Sequence, residues 1–149
     1  MSSYRQILYQ IVFCTKHRQK TLNPEHNEEL FKYIWGIIKN RNCHLYRING
    51  MEEHVHILSD THPSIALADF VRDIKTATSI WLKESGFCPD FIGWADGYAA
   101  FTYSYWDKDM LINYIINQQQ HHQKESFEDE YRRLLNEHGV TIDERYFLR

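Results

Sequence analysis

Two short stretches of this chain place side chains that could hold a cation near a side chain that could act as a nucleophile. The first is His54-Val55-His56, inside a run from His54 to Thr61 that reads as a strand. Successive strand side chains point to opposite faces, so His54, His56, Leu58 and Asp60 share one face while Val55 and Ile57 share the other. The two imidazoles then lie side by side, at a spacing that lets both reach one cation. In isolation the same spelling describes a solvated or cross-strand hydrogen-bonded pair. The second stretch is Tyr114 to Gln118, on the flank of a helical stripe formed by Leu111, Ile112, Ile115 and Ile116, with His121 close by. Residues four apart on a helix are neighbours, so the phenol and the amide sit together. Taken singly, they read as a core-edge aromatic and a surface amide. Brought beside the histidine pair, they would make a coherent active site.

The elements that must position these groups follow from local patterning. Tyr4 to Thr15 is rich in β-branched and aromatic residues and reads as a first strand. After a basic loop, Lys16 to Lys20, Asn23-Pro24 opens a helix, with Asn as cap and Pro where its missing donor costs nothing. Leu30, Phe31, Ile34, Ile37 and Ile38 give that helix a buried face. His44 to Met51 alternates and forms a second strand, hairpinned to the third through a turn near Gly50 to Glu53. Pro63-Ser64 starts a second helix running to about Ser85, with Ile65, Leu67, Phe70, Val71, Ile74, Ala77, Ile80 and Trp81 as apolar positions. A glycine-containing loop, Gly86 to Gly97, leads to a fourth strand over Tyr98 to Tyr105. Asp107 is expected to cap a helix through about Gln120, and Ser126 to open a last, charged helix that ends before Gly139. The order β-α-β-β-α-β predicts an α+β, ferredoxin-like fold: an antiparallel sheet with two helices on one face, and the tyrosine helix following at the C-terminal side. The other sheet face is left for the terminal helices or a ligand.

Composition narrows the class. The 149 residues fit one domain spanning 1–149, and a 43% hydrophobic, 15% aromatic composition is enough for a real core. No apolar run approaches the roughly 20 residues of a membrane span, and no signal-peptide core follows the N-terminus, so a soluble cytoplasmic protein is expected. Cys14, Cys43 and Cys88 are far apart and odd in number, which suggests neither a disulfide framework nor a cysteine zinc site. The net charge of -3 does not point to a nucleic-acid binder. From Lys124 onward seven acids face five bases, and the remaining body, with 12 bases against 13 acids, is near neutral.

The two stretches together carry a resemblance. His54-Val55-His56 is a His–hydrophobic–His (HUH) motif, and Tyr114-Ile115-Ile116-Asn117-Gln118 resembles the single-tyrosine motif of HUH transposases from small insertion sequences. Ile11 to Lys16 looks like that family's first strand, and Trp94 to Phe101 like its Gly-Tyr segment. His121 to Phe127 and Asp143 to Tyr146 are similar to the family as well, so the likeness runs along essentially the whole chain in the same order. Glu53 departs from the Asp that many relatives carry before the histidine pair, with its charge kept, and Phe101-Thr102-Tyr103-Ser104 differs from a commoner small-residue version.

The resemblance implies a metal-dependent transposase that cuts and rejoins single-stranded DNA. His54, His56 and Gln118 would bind one divalent cation, Mg²⁺ or Mn²⁺, and Tyr114 would be the nucleophile that forms a 5′-phosphotyrosine. The partners implied are single-stranded DNA with hairpins at the ends of the mobile element and a second copy of the chain in a homodimer. Phosphate contacts are expected from Lys16, Arg18 and Lys20 in the first loop and from Arg72 and Lys75 on the second long helix. Trp94, Tyr98, Tyr103 and Tyr105 are candidates for stacking on unpaired bases. His121 is a candidate general base. Three rivals remain at this stage: a related HUH endonuclease (a domesticated transposase or a replication initiator), a non-catalytic single-strand nucleic-acid-binding module, and a metal-dependent hydrolase that uses water.

Overall fold

Alternating apolar runs become four strands in the computed structural model, which describes residues 3–148. They are β1 (Tyr9–Cys14), β2 (Leu45–Gly50), β3 (His54–Ser59) and β4 (Ala99–Thr102). Their order across the sheet is β2-β3-β1-β4, with every neighbouring pair antiparallel. Five helices accompany them: α1 (Asn27–Asn40), α2 (Leu67–Ser85), α3 (Lys108–Ile116), α4 (Gln118–His121) and α5 (Phe127–Glu137). This is the ferredoxin-like arrangement expected from the element order.

The sheet is covered on both faces. On one, Ile11, Phe13, Val55 and Ile57 meet Leu30, Ile34 and Ile38 of α1 and Phe70, Val71, Ile74 and Leu82 of α2. Each such side chain contributes about 1.5–3 kcal/mol when fully buried, so this layer carries most of the apolar stabilisation. On the other face there are two smaller patches. Val12, Cys14, Ala99 and Phe101 pack under Phe127 and Leu134 of α5. Leu8 and Leu58 pack under Leu111 and Ile115 of α3. Alongside these patches the same face buries a set of polar side chains, Gln10, His54, His56, Gln118 and Glu130, each with no exposed surface.

Several boundaries differ from expectation for local reasons. α2 starts at Leu67 because His62 to Ile65 closes a turn of its own, with the Ile65 amide donating to the His62 carbonyl at 3.0 Å. Ile80, assigned to the apolar face of α2, is instead half exposed. Asp107 does not cap α3: its backbone is already helical, and Ser104 caps the preceding 3-10 turn by accepting from the Trp106 amide. Ser126 caps α5 as expected, accepting from the Asp129 amide at 3.1 Å.

The β2–β3 hairpin is tight. The Met51 amide donates to the His54 carbonyl at 2.9 Å. A Cβ on Gly50 would overlap that same carbonyl oxygen, so the turn that leads into the histidine pair requires glycine.

Candidate active site

His54 and His56 emerge from β3 on the face covered by α3, α4 and α5. Their partners on β1 in the sheet register are Cys14 and Val12. The His54 ring is stacked on Phe127 of α5, centroids 4.1 Å apart, and this wall excludes water on that side. Its Nδ1 lies 2.7 Å from Glu53 Oε1. His56 Nδ1 lies 2.8 Å from Gln10 Oε1, and Gln10 in turn donates from Nε2 to the Tyr103 hydroxyl at 2.8 Å. Each ring is thus gripped from behind, leaving both Nε2 atoms turned toward the helices.

The tyrosine and glutamine arrive by a route the sequence did not suggest. The helix expected as far as Gln120 breaks at Asn117, where α3 ends and α4 begins. Asn49 of β2 is the cause. Its Nδ2 donates to the carbonyls of Ile115 (2.9 Å) and Ile116 (3.2 Å), and Gln119 answers with bonds to Asn49 Oδ1 and the Gly50 carbonyl. Tyr114 therefore stands on α3 and Gln118 on α4, yet both side chains still reach the histidines. Gln118 Oε1 lies 3.2 Å from His54 Nε2.

At the centre of the cluster is Glu130 of α5. Its Oε1 lies 3.2 Å from His56 Nε2, 3.5 Å from His54 Nε2 and 2.9 Å from His122 Nε2. Its Oε2 accepts from Gln118 Nε2 at 3.0 Å and from the hydroxyl of Tyr114. Burial resists the charge on Glu130, but the hydrogen bonds from His122 and His56 outweigh it and hold the carboxyl far below its usual range. His122 shows the reciprocal effect, raised by the same carboxylate despite burial. His56, fully enclosed, is pushed down by burial to about 4 and stays neutral.

The Tyr114 hydroxyl also receives a bond from Arg133 Nη2 at 2.8 Å. Burial first, and then the Glu130 carboxylate, push the phenol pKa well above its ordinary value, while Arg133 works in the opposite direction. His121, the candidate base, makes no hydrogen bond to Tyr114. Its Nε2 is taken by Glu125 Oε1 at 2.6 Å. The predicted residues Tyr114, His54, His56 and Gln118 are therefore brought together, and Glu130, His122, Arg133 and Gln10 join them.

The basic residues fall outside this cluster. Lys16, Arg72 and Lys75 line an open cleft of about 600 Å³ together with Trp94 and Tyr98. Arg72 pairs with Asp69 (3.1 Å) and Asp73 (3.6 Å), and Arg18 with Glu128 (3.4 Å). Lys75 donates to the carbonyls of Ala95 and Gly97 and so ties down the loop before β4. Lys20 is exposed. Trp94 is half-buried against the core, edge-on to Phe13 at 4.8 Å with its indole N–H bonded to Thr78, whereas Tyr98 and Tyr105 remain exposed.

Comparison with known proteins agrees with this architecture. The family model described as IS200-like transposase matches residues 3–118. The chain belongs to the IS200-like transposase family. One relative, the ISDra2 transposase of Deinococcus radiodurans, is 28% identical over 74 residues, covering 50% of this chain. The chain spans about half the length of that relative, 53%. A crystal structure of a candidate transposase from Deinococcus radiodurans R1 superposes with a TM-score of 0.60 at 24% identity, covering 79% of this chain and 95% of that one. A REP-associated tyrosine transposase bound to a REP hairpin superposes with a TM-score of 0.59 at 16% identity, covering 82% and 74%. At these identities the two structures support the fold alone. Among the described residues, no helix is long and apolar enough to cross a membrane.

The site is chemically suited to a cation. Whichever ring nitrogen carries the hydrogen, both nitrogens of His54 and both of His56 face oxygen atoms. A neutral imidazole has only one N–H to offer, so each ring also aims a lone pair at an oxygen lone pair. A divalent ion among the Nε2 atoms and oxygens would turn these repulsive pairs into ligands. Two imidazoles with amide and carboxylate oxygens suit Mg²⁺ or Mn²⁺.

Proposed function

We propose that this IS200-like family member is a transposase that cleaves and rejoins single-stranded DNA through a 5′-phosphotyrosine at Tyr114. The observation that carries this reading is the meeting of the Tyr114 hydroxyl, the Gln118 amide and the His54 and His56 Nε2 atoms around one buried carboxylate. A phenol, two backed imidazoles and an amide in a single enclosed cluster match the needs of attack on a phosphodiester. His54, His56 and Gln118 would hold the cation, Mg²⁺ or Mn²⁺. When bound, it would polarise the scissile phosphate and stabilise the charge that develops on it.

The protein groups then divide the work. The Tyr114 oxygen bonds to phosphorus as the bond from phosphorus to the 3′ oxygen breaks. The phenol proton leaves along its hydrogen bond to Glu130 Oε2 and passes on to solvent, because that carboxyl is held far below its usual range, and the departing 3′ oxygen takes a proton from water. Arg133 supports negative charge on the phenol oxygen during attack. The phosphoester keeps the bond energy, so a second 3′-hydroxyl can reverse the step and join a new strand. Gln10 and Glu53 hold the imidazoles in register, and Phe127 keeps bulk water from His54.

Lys16, Arg18, Lys20 and Arg72 are assigned to phosphate contacts, with Lys75 fixing the loop beside them. The partner is single-stranded DNA bearing hairpins at the ends of the mobile element, engaged by a homodimer of chains that each act as a single 1–149 domain. The test is covalent trapping with Mg²⁺ and single-stranded oligonucleotides spanning those ends. A metal-dependent adduct on a denaturing gel, absent with Tyr114→Phe, is expected. Hairpin binding with neither adduct nor cleavage would instead identify a binding module, and cleavage without an adduct a hydrolase.

A further inference from the structure

We propose that Glu130, delivered by α5, is a further protein ligand of the active-site cation, so that ion binding and docking of the C-terminal helix are one event. The proposal rests on the cation site assigned above to His54, His56 and Gln118. Glu130 lies beyond residues 3–118, the part of the chain matched by the family model.

Three observations carry it. First, Glu130 Oε1 faces three imidazole Nε2 atoms, those of His122 (2.9 Å), His56 (3.2 Å) and His54 (3.5 Å). The ligand atoms of His54, His122 and Glu130 all lie within 4.8 Å of one another, close enough to share one ion. Second, Glu130 has no exposed surface. A buried carboxylate is retained where it is paired or coordinates a metal. Third, neutral rings cannot supply a hydrogen to every oxygen that faces them. Protonating every ring to supply hydrogens would place imidazolium rings next to one another, since His54 and His56 have centroids 5.0 Å apart and His54 and His122 4.7 Å apart. One divalent ion removes the conflict with a single charge centre. A carboxylate also adds the negative charge that two imidazoles and an amide lack, which strengthens affinity for hard cations. The second oxygen, Oε2, stays bonded to Tyr114 and Gln118, so the ligand that holds the ion also sets the nucleophile's position.

The test uses the full chain and Mn²⁺ alone, without DNA. Binding is read by loss of the free-Mn²⁺ electron paramagnetic resonance signal, and docking by amide hydrogen exchange over residues 127–137. Wild type is expected to bind Mn²⁺ and to gain exchange protection in α5 on binding. Glu130→Gln keeps the shape and removes the charge. It is expected to raise the Mn²⁺ Kd at least about 10-fold and to abolish the added protection. Glu130→Asp, charged but one methylene shorter, should fall between the two, and it carries the test if Glu130→Gln does not fold. His56→Ala separates this proposal from the one beneath it. If wild type binds no Mn²⁺, or if His56→Ala binds it as wild type does, the underlying site is wrong and the Glu130 assignment falls with it. If His56→Ala loses binding while the Glu130 variants bind equally or more tightly, the histidine site stands and Glu130 is only a plug occupying it.

Discussion

The oxygen of Tyr114 sits between opposed charges, accepting from Arg133 and donating to Glu130. Burial and the carboxylate keep the phenol protonated at neutral pH, so under the proposed mechanism its negative charge would arise only as the bond to phosphorus forms. Arg133 is the cation placed to meet that charge. A hydrogen bond to a charged group is worth about 1.5–3 kcal/mol, so Arg133→Gln is expected to slow adduct formation roughly 10- to 100-fold in single-turnover assays. An unchanged rate would remove Arg133 from the chemistry. At this scale the sequence was only partly legible. His54 and His56 could be placed because a strand repeats every two residues, and Tyr114 and Gln118 because a helix brings i and i+4 together. Glu130 was hidden in a run of acids, Glu128-Asp129-Glu130, that reads as an ordinary complement to a helix N-terminus. The available signal was its phase: Phe127, Glu130 and Leu134 are the buried positions of α5, and a glutamate in an apolar stripe marks a buried charge with a partner.

Among the elements, the break at Asn117 and the docking of α5 decide the geometry. Asn49→Ala removes the donor to two α3 carbonyls. It should lower stability by about 1 kcal/mol in urea titration and raise hydrogen exchange in residues 117–121 more than in β3. Leu134→Ala empties the space between α5 and the sheet at a site 4% exposed, and about 2–5 kcal/mol of stability should be lost. A loss under about 1 kcal/mol would show that α5 is held mainly by its polar contacts. Helix and strand identities followed from hydrophobic period and turn residues. The break did not, because its cause lies on β2, 66 residues away in sequence from Ile115. Nothing local to residues 113–121 records which strand will lie beneath them.

For the molecule as a whole, buried ionisable groups bound the pH range of stability. Tyr103 and Tyr131 are pushed up by burial to about 12, and Tyr114 is raised as well. These phenols stay protonated in the fold while the unfolded chain releases theirs near pH 10, so stability should fall as pH rises above about 10. Glu130 works at the other end. Its depressed pKa contributes stability above about pH 4.3, which is lost as the unfolded state takes up the proton in more acid solution. His56 starts the acid-side loss earlier, because its pKa is pushed down to about 4 in the fold while the unfolded chain takes up that proton below about pH 6.5. Urea midpoints should therefore fall in acid and again above about pH 10, and a midpoint still climbing from pH 10 to 11 would contradict the assignment. A genetic consequence follows from the place of α5. The helix lies beyond residue 118, where the family match ends, yet Phe127 and Leu134 roof the sheet residues Val12, Cys14, Ala99 and Phe101. A stop codon shortly after position 118 would spare every strand and every residue of the HUH and tyrosine motifs. The product would nevertheless bare an apolar sheet face to water and aggregate, making a seemingly mild late truncation a null allele.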